Sequence, residues 1–391
     1  MLSKWILLLL LPLSFGSPLV APRHDHGVKK GEAGIKPPAA FKDYVKKYRH
    51  TMKKVAKANG DDCNCKPGNI AIRRSWHKLS ADERLDYIRA VKCLHSKPSL
   101  ADPARSPGNR NRMDDFTYTH INQTLHVHMS GLLLPWHRNY LFSFEKSLRE
   151  ECGYKGYQPY WDFARWTHDQ LSSPLFDGSP TSLGGNGVNV NEQPRTVSVP
   201  GLPQPYSFTM PAGTGGGCVT TGPFVSFNAS LGPVTPGSPP TPGDTFGEQY
   251  NPRCLRRSFT PSISEKTLNW DTVLSLLQTA TMDQFRPILE GGIHAGMHAA
   301  IGGDVFDFFA SPSDCVFYFI HAKVDQLWSI WQAQDWAARK DALYGTSTFA
   351  NLPPSPNVTV DTWMDMVYAG GMARVGDSMS TVDGQYCYMY E

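Results

Sequence analysis

A mainly α fold with long loops and few short strands is predicted by three features of this 391-residue sequence. Apolar residues recur at helical spacing in several separate segments. Gly and Pro number 34 and 31, which places a good part of the chain in turns and loops. Apolar residues make up 40% and aromatic residues 12%, enough for one large buried core.

The first helical segment is predicted between Ile70 and Cys93. Ser80 lies three residues before Glu83, which is the spacing of a capping box, and apolar residues follow with helical periodicity. A proline-rich stretch over residues 98–107 ends this segment.

Helical spacing returns in five later segments. Two of them begin near Asp114 and after Pro135. The second of these carries one apolar stripe, made of Tyr140, Leu141, Phe144 and Leu148. The remaining three segments cover residues 270–285, 292–300 and 324–331.

Residues 178–254 differ from the rest of the chain. They contain 14 Gly and 13 Pro, so helix is nearly excluded and long strands are not expected. Two cysteines lie in this stretch. We therefore predict a long loop insertion on the surface, stapled by a disulfide rather than disordered.

The N-terminus has the pattern of a secretory leader. Lys4 precedes an apolar run over residues 7–13, and small residues follow. The run is too short to span a bilayer, which needs about 20 apolar residues. We predict a signal peptide over residues 1–16, a basic N-terminal arm or propeptide over 17–60, and the main domain over 61–391.

Eight cysteines all follow the leader, and an even count in a secreted chain indicates up to four disulfides whose pairing stays open. Three Asn-x-Ser/Thr triplets predict glycosylation at Asn122, Asn228 and Asn357. The leader pattern, the even number of cysteines and the three triplets all predict a secreted protein.

The charge balance excludes some partners. The formal net charge is only +3, which gives no electrostatic case for nucleic acid or for an anionic membrane surface. We therefore expect neither partner, and the oligomeric state stays open.

Histidines dominate the candidate chemistry. The chain has 13, and six are embedded in apolar and aromatic sequence, three in each half. His294 and His298 stand four apart, on one face of a helix, as two ligands of one metal ion would. A zinc protease would need Glu after the first of them, and Ala295 stands there.

Imidazole suits copper, zinc, iron and nickel, and clustered carboxylates or cysteines are missing from these segments. Two groups of three neutral imidazoles can hold two copper ions side by side. Such a pair can pass electrons from an easily oxidised phenol to O2.

Short motifs accompany the histidines along the chain: Cys93-Leu94, Asp114-Asp115-Phe116, Leu134-Pro135-Trp136-His137-Arg138, Pro159-Tyr160-Trp161-Asp162, Gly291-Gly292-Ile293-His294, Ile301-Gly302-Gly303-Asp304, Val324-Asp325-Gln326-Leu327-Trp328 and Tyr388-Met389-Tyr390. In these motifs, residues 63–391 resemble the type-3 copper family of tyrosinases, catechol oxidases and molluscan haemocyanins. The closest resemblance is to the short secreted enzymes of filamentous fungi.

The resemblance implies a four-helix bundle around a dicopper site, so that residues 61–391 form a copper-binding catalytic domain. It implies that one copper is bound by His120, His128 and His137. It implies that the other is bound by His294, His298 and His321. His126 is the rival for the middle ligand of the first site, and His95 is a bystander.

Several positions depart from the family pattern. His126 stands where many members carry a cysteine bonded through sulfur to another histidine, so no thioether is expected. Ala295 stands where monophenol hydroxylases often have Asn, and a methyl group cannot accept a hydrogen bond. Glu290 can hold a water or be a solvent-exposed carboxylate at a helix start.

The C-terminal Tyr388-Met389-Tyr390 is expected to pack on an early arginine, Arg73 or Arg74. Since the sequence ends one residue later, we expect no C-terminal lid over the copper site.

The function implied is a secreted dicopper oxidase that converts o-diphenols to o-quinones while O2 is reduced to water. Its partners would be a small phenolic substrate and O2. The alternatives are a full tyrosinase that hydroxylates monophenols, an o-aminophenol oxidase of pigment or secondary-metabolite biosynthesis, and an oxygen carrier.

Overall fold

The computed structural model describes residues 34–59, 65–198, 207–234 and 247–391. Within these ranges the fold is mainly α, as predicted. The helices are α1 (Ala39–Ala58), α2 (Ala81–Ser96), α3 (Arg112–Val127), α4 (Leu133–Glu150), α5 (Pro261–Thr267), α6 (Trp270–Leu277), α7 (Met282–Ile288), α8 (Ala295–Ile301), α9 (Val316–Gln334) and α10 (Trp336–Arg339). A π-helical turn, Leu289–His294, joins α7 to α8.

Helix α9 is the centre of the core. Every residue from Val316 to Ala333 is buried, so this helix is covered on all sides. It packs against α1 on one side and α4 on another. The stripe predicted on α4 is fully buried, since Tyr140, Leu141, Phe144 and Leu148 all have 0% exposure.

A side-chain cap fixes where α2 begins. Ser80 and Glu83 form the predicted capping box, so α2 begins at Ala81. The expectation of helix from Ile70 onward is wrong for its first residues. They instead form a strand that pairs with the far end of the chain.

The strands are short, and each pairs with only one other: β1 (Ala71–Arg73), β2 (Gly187–Asn189), β3 (Arg195–Ser198), β4 (Ser207–Met210), β5 (Gly216–Val219), β6 (Asn228–Ala229), β7 (Arg253–Cys254), β8 (Trp363–Asp365), β9 (Met372–Arg374) and β10 (Tyr388–Tyr390). Strand β1 pairs in parallel with β10, with Ile72 opposite Met389. The other pairs are β2–β5, β3–β4, β6–β7 and β8–β9, all antiparallel.

The segment over residues 178–254 has the stapled character that its composition indicates. Its described parts form short antiparallel strands, and a disulfide joins Cys218 to Cys254. Two other disulfides join Cys65 to Cys387 and Cys93 to Cys152. Among the described cysteines Cys315 is unpaired and buried, while Cys63 lies outside the described residues.

The boundary predicted at residue 60 does not divide the core. The described part of the predicted arm is helix α1, whose Phe41, Tyr48, Met52 and Ala56 belong to the main hydrophobic cluster. These four side chains recur at helical spacing, and burying them fixes α1 against α9.

The predicted signal peptide, residues 1–16, lies outside the described residues. Asn122, Asn228 and Asn357 are all exposed, as glycosylation would require. In the part of the chain that is described, no helix has the length and apolar character needed to cross a membrane.

Candidate metal centre

The first histidine group lies at the junction of α3 and α4. His120 is on α3, His128 directly follows the last residue of α3, and His137 is on α4. Their donor nitrogens lie within 4.8 Å of one another, and all three side chains are buried. The structure therefore brings together the three residues that the resemblance assigns to the first copper.

Backbone carbonyls orient these three rings. The Nδ1 atoms of His120, His128 and His137 donate to the carbonyls of Phe309, Thr124 and Leu133 at 2.6, 3.0 and 2.8 Å. A carbonyl can only accept, so each ring carries its proton on Nδ1. The Nε2 lone pair of each ring is thereby left free to bind a metal ion.

The second group is built by the π-helical turn, α8 and α9. His294 ends the π-helical turn, His298 follows four residues later on α8, and His321 is on α9. Their donor nitrogens also lie within 4.8 Å of one another. Nδ1 of His294 donates to the carbonyl of Glu290 at 3.3 Å, and Nδ1 of His298 donates to that of Val305.

The two groups face each other across the bundle. The rings of His137 and His321 are stacked, with their centroids 4.2 Å apart and their planes at 11°. The rings of His128 and His294 are 6.1 Å apart. Helices α3, α4, α8 and α9 thus donate histidines from opposing sides of one cavity, which is the four-helix arrangement that the resemblance predicts.

Burial keeps these imidazoles neutral. It lowers the pKa of His120 to about 3 and that of His298 to about 4. It also moves the pKa of His128, His137, His294 and His321 well below the usual value. Neutral imidazole is the form that binds metal, so the ligands are ready at neutral pH.

Unpartnered nitrogens test whether the residues fit a metal. Within the described ranges, the buried Nε2 atoms of His120, His137, His294 and His321 have no hydrogen-bond partner. A buried polar atom without a partner costs about 1–3 kcal/mol, so four in one cavity call for a ligand. Three imidazoles for each ion suit copper, and the residues fit two copper ions.

Aromatic side chains enclose the histidines. The Phe317 ring lies 5.0 Å from that of His120 and 4.1 Å from that of His321. The Phe308 ring lies 4.9 Å from that of His128. These apolar rings limit the positions that the imidazoles can take and exclude water around them.

Glu290 is buried, with 6% exposure, so the alternative of a solvent-exposed carboxylate is wrong. One carboxylate oxygen accepts a hydrogen bond from the backbone N–H of Met129 at 2.5 Å. The other forms an ion pair with Arg286, one helical turn earlier. Glu290 thereby joins the residue after His128 to the turn that carries His294.

A buried ionic cluster behind the site was not anticipated from the sequence. Arg138 pairs with Asp325 at 2.6 Å, and both side chains are almost completely buried. The hydroxyls of Tyr388 and Tyr390 donate to the other oxygen of Asp325 at 2.7 and 2.6 Å. The sequence offered one signal for this cluster: Arg138 directly follows His137, and Asp325 lies four residues after His321, both within the short motifs.

Arg73 is the arginine on which the C-terminal tyrosines pack. Its guanidinium carbon lies 3.6 Å from the centroid of the Tyr388 ring, and its Nη1 donates to the Tyr390 hydroxyl at 3.1 Å. Arg74 instead pairs with Glu83 near the surface.

Two other histidines lie apart from both groups. The side chain of His126 is exposed, although it is only two residues from His128. The His95 ring packs on Phe227 with 3.9 Å between centroids.

Comparisons with known proteins agree with this geometry. The family model for the common central domain of tyrosinase matches residues 110–334. The tyrosinase-like protein orsC of Emericella nidulans is 43% identical over 303 residues, which cover 75% of this chain and 82% of that protein. Tyrosinase P of Aspergillus terreus is 41% identical over 332 residues, covering 82% of this chain and 91% of that protein.

A solved structure with the same fold is that of a polyphenol oxidase variant from Thermothelomyces thermophila. Its TM-score is 0.85 at 38% sequence identity, and the match covers 91% of this chain and 99% of that one.

Proposed function

The chain belongs to the tyrosinase family of dicopper oxidoreductases, and from that membership we propose that it is a secreted phenol oxidase that converts o-diphenols to o-quinones. Two diphenols each lose two electrons and two protons, and together these reduce one O2 to two waters. The observation that carries the proposal is the pair of buried histidine groups that face each other in one cavity.

In this proposal His120, His128 and His137 hold one copper, and His294, His298 and His321 hold the other. When bound, the metal pair supplies the redox chemistry between the phenol and O2. The chain supplies neutral imidazoles and fixes five of the six rings through Nδ1. The sixth ring, His321, is held by its stacking on His137 and by Phe317.

The preference for diphenols over monophenols rests on Ala295 and Glu290. Hydroxylation of a monophenol needs a group that takes the phenol proton. The methyl group of Ala295 cannot hold a water for that purpose. Both carboxylate oxygens of Glu290 already accept hydrogen bonds, from Met129 and Arg286.

Export is supported by the leader pattern of residues 1–16 and by three disulfides among the described cysteines. Disulfides persist in oxidising compartments and are rare in the cytosol.

The test compares oxygen uptake on tyramine with uptake on the matching catechol, using copper-loaded protein and the Ala295→Asn variant. Ala295 is exposed, so the longer amide side chain has space. We expect the wild type to consume O2 with the catechol only. We expect uptake on tyramine by the variant to be at least about tenfold above the background rate of the wild type, because the amide can hold a proton-accepting water.

Rapid uptake on tyramine by the wild type would contradict the diphenol preference. It would favour the second candidate function, that of a full tyrosinase. The Aspergillus terreus relative is named a tyrosinase. No uptake on either substrate with two coppers bound would overturn the phenol-oxidase proposal and favour an aminophenol substrate or an oxygen carrier.

A further inference from the structure

Helix α1 carries the highest local charge of the described chain. Seven cations project from it to solvent and only one carboxylate, Asp43, accompanies them. The cations are Lys42, Lys46, Lys47, Arg49, Lys53, Lys54 and Lys57. The whole chain has a net charge of only +3, so the positive charge is concentrated on this one helix.

Five of these cations form a continuous line, which we call the basic stripe: Lys42, Lys46, Arg49, Lys53 and Lys57. Steps of three and four residues place them on one face of the helix. With a rise of 1.5 Å per residue, the stripe is about 22 Å long. Charges therefore recur every 5–6 Å or so along a straight ridge.

No carboxylate among the described residues pairs with the stripe. Across the described ranges, none of its five cations forms an ion pair or a side-chain hydrogen bond. By contrast, the buried cations Arg73, Arg138 and Arg257 each pair with a carboxylate. Like charges four residues apart also destabilise a helix, so the stripe lowers the stability of α1.

The rest of α1 is rigidly held. Phe41, Tyr48, Met52 and Ala56 are buried in the main core, and Thr51 donates to the carbonyl of Ala333 on α9 at 3.2 Å. The backbone that carries the stripe is therefore fixed before a partner arrives, although the exposed side chains themselves are not held. A preorganised surface loses less entropy on binding.

The shape of the stripe favours a linear polyanion over the alternatives. A membrane-binding helix inserts an apolar face into the bilayer, but the apolar face of α1 is buried against the core. Single-stranded nucleic acid is held largely by bases that stack on exposed aromatic side chains. On α1, Phe41 and Tyr48 are buried, Tyr44 is half-buried, and the His50 imidazole is the one exposed aromatic ring, which is a poor platform for a run of bases.

We propose that the basic stripe binds an acidic polysaccharide and holds the protein on that polymer. The choice of a polysaccharide rests on the proposed secretion, because an exported protein meets anionic glycans outside the cell. Carboxylate or sulfate groups repeated along the polymer would pair with successive cations of the stripe, with little sequence or linkage specificity.

Binding of the copper-loaded, full-length protein to polygalacturonate tests the proposal, with neutral dextran as the comparison polymer. We expect binding to polygalacturonate at low ionic strength, weakening as salt rises, and no binding to dextran. A triple variant, Lys46→Gln, Arg49→Gln and Lys53→Gln, should bind at least about tenfold more weakly, because each lost contact removes a charge pair. Gln favours helix about as well as Lys and Arg do, so α1 should stay folded.

The matched control removes the same number of exposed cations elsewhere, with Lys92→Gln, Lys155→Gln and Lys266→Gln. It has the same net charge as the stripe variant, and we expect it to bind as the wild type does. Equal loss in both variants would overturn the proposal, since net charge alone would then explain binding. Tighter binding to anionic vesicles or to single-stranded DNA than to polygalacturonate would also overturn it.

Oxygen uptake on a catechol is measured for both variants in the same preparation. The stripe proposal fails if the triple stripe variant binds polygalacturonate as tightly as the wild type does and also consumes O2 normally on the catechol. If neither the wild type nor the variants consume O2 on the catechol, the proposed oxidase function is contradicted, and the binding result still decides the stripe proposal.

Discussion

Arg138 and Asp325 form a buried ion pair, with 2.6 Å between Nε and Oδ1. Arg138 follows His137 on α4, and Asp325 lies one turn after His321 on α9. The pair therefore joins the two helices whose histidine rings stack across the site. It fixes the relative height of a ligand from each group without touching the metal positions.

Replacing Arg138 with Met should destabilise the protein by about 3–5 kcal/mol, because it leaves a buried carboxylate without its closest cation. Asp325 keeps the two tyrosine hydroxyls and Arg73 at 3.5 Å, so we expect the lower part of that range. Denaturant unfolding of the metal-free variant measures the loss. The control is Lys146→Met on the same helix, whose exposed pair with Glu150 at 4.0 Å should contribute less than 1 kcal/mol or so.

His128 and His126 are the two candidates for the middle ligand of the first site. His128 is buried beside His120 and His137, whereas the His126 side chain is exposed. We expect His128→Asn to bind about one copper per chain fewer than the wild type, because a three-imidazole site loses a ligand. His126→Asn should keep both ions. Elemental analysis after gel filtration gives the stoichiometry, and the reverse result would assign His126 as the ligand.

Glu290→Gln should destabilise the protein by about 3–5 kcal/mol, since the buried Arg286 loses its carboxylate. The same change weakens the link from Met129 to the π-helical turn, so copper affinity should fall together with stability. A merely structural role would leave the copper affinity of the folded variant unchanged, and competition with a chelator measures it. Glu265→Gln, at an exposed carboxylate, is the control and should change neither quantity.

Local patterns predicted the parts of the fold that local chemistry determines. The capping box at Ser80 fixes the start of α2 whatever surrounds it. The four-residue spacing of His294 and His298 places both on one side of the cavity. Both features depend on residues a few positions apart, and such spacing is visible in a sequence.

Features that join distant segments could not be predicted in this way. Strand β1 pairs with β10 across more than three hundred residues. The family resemblance predicts that Tyr388 and Tyr390 pack on Arg73 or Arg74, but no local pattern predicts the strand pairing itself. Helix α1 is a different case. Its core residues Phe41, Tyr48, Met52 and Ala56 recur at helical spacing, but the many lysines between them give the segment the composition of a polar arm. The signal was present and was outweighed by composition.

His77 should make stability depend on pH. Burial lowers its pKa to about 4; the Asp162 carboxylate has a smaller opposite effect, and the Arg165 cation lowers the pKa further. Its buried Nδ1 has no hydrogen-bond partner among the described residues. Below pH 6.5 the unfolded chain binds a proton that the folded chain refuses, so stability falls as pH drops from about 6.5 to 4. One such proton accounts for a slope of about 1.4 kcal/mol per pH unit.

The variant His77→Phe tests this dependence, because it keeps the edge contact with Trp166 and cannot be protonated. Thermal unfolding of copper-loaded protein across this range should therefore give a shallower pH dependence for His77→Phe than for the wild type. The exposed His168, replaced by Phe, should leave the wild-type profile in place, and an equal change in both variants would contradict the role of burial.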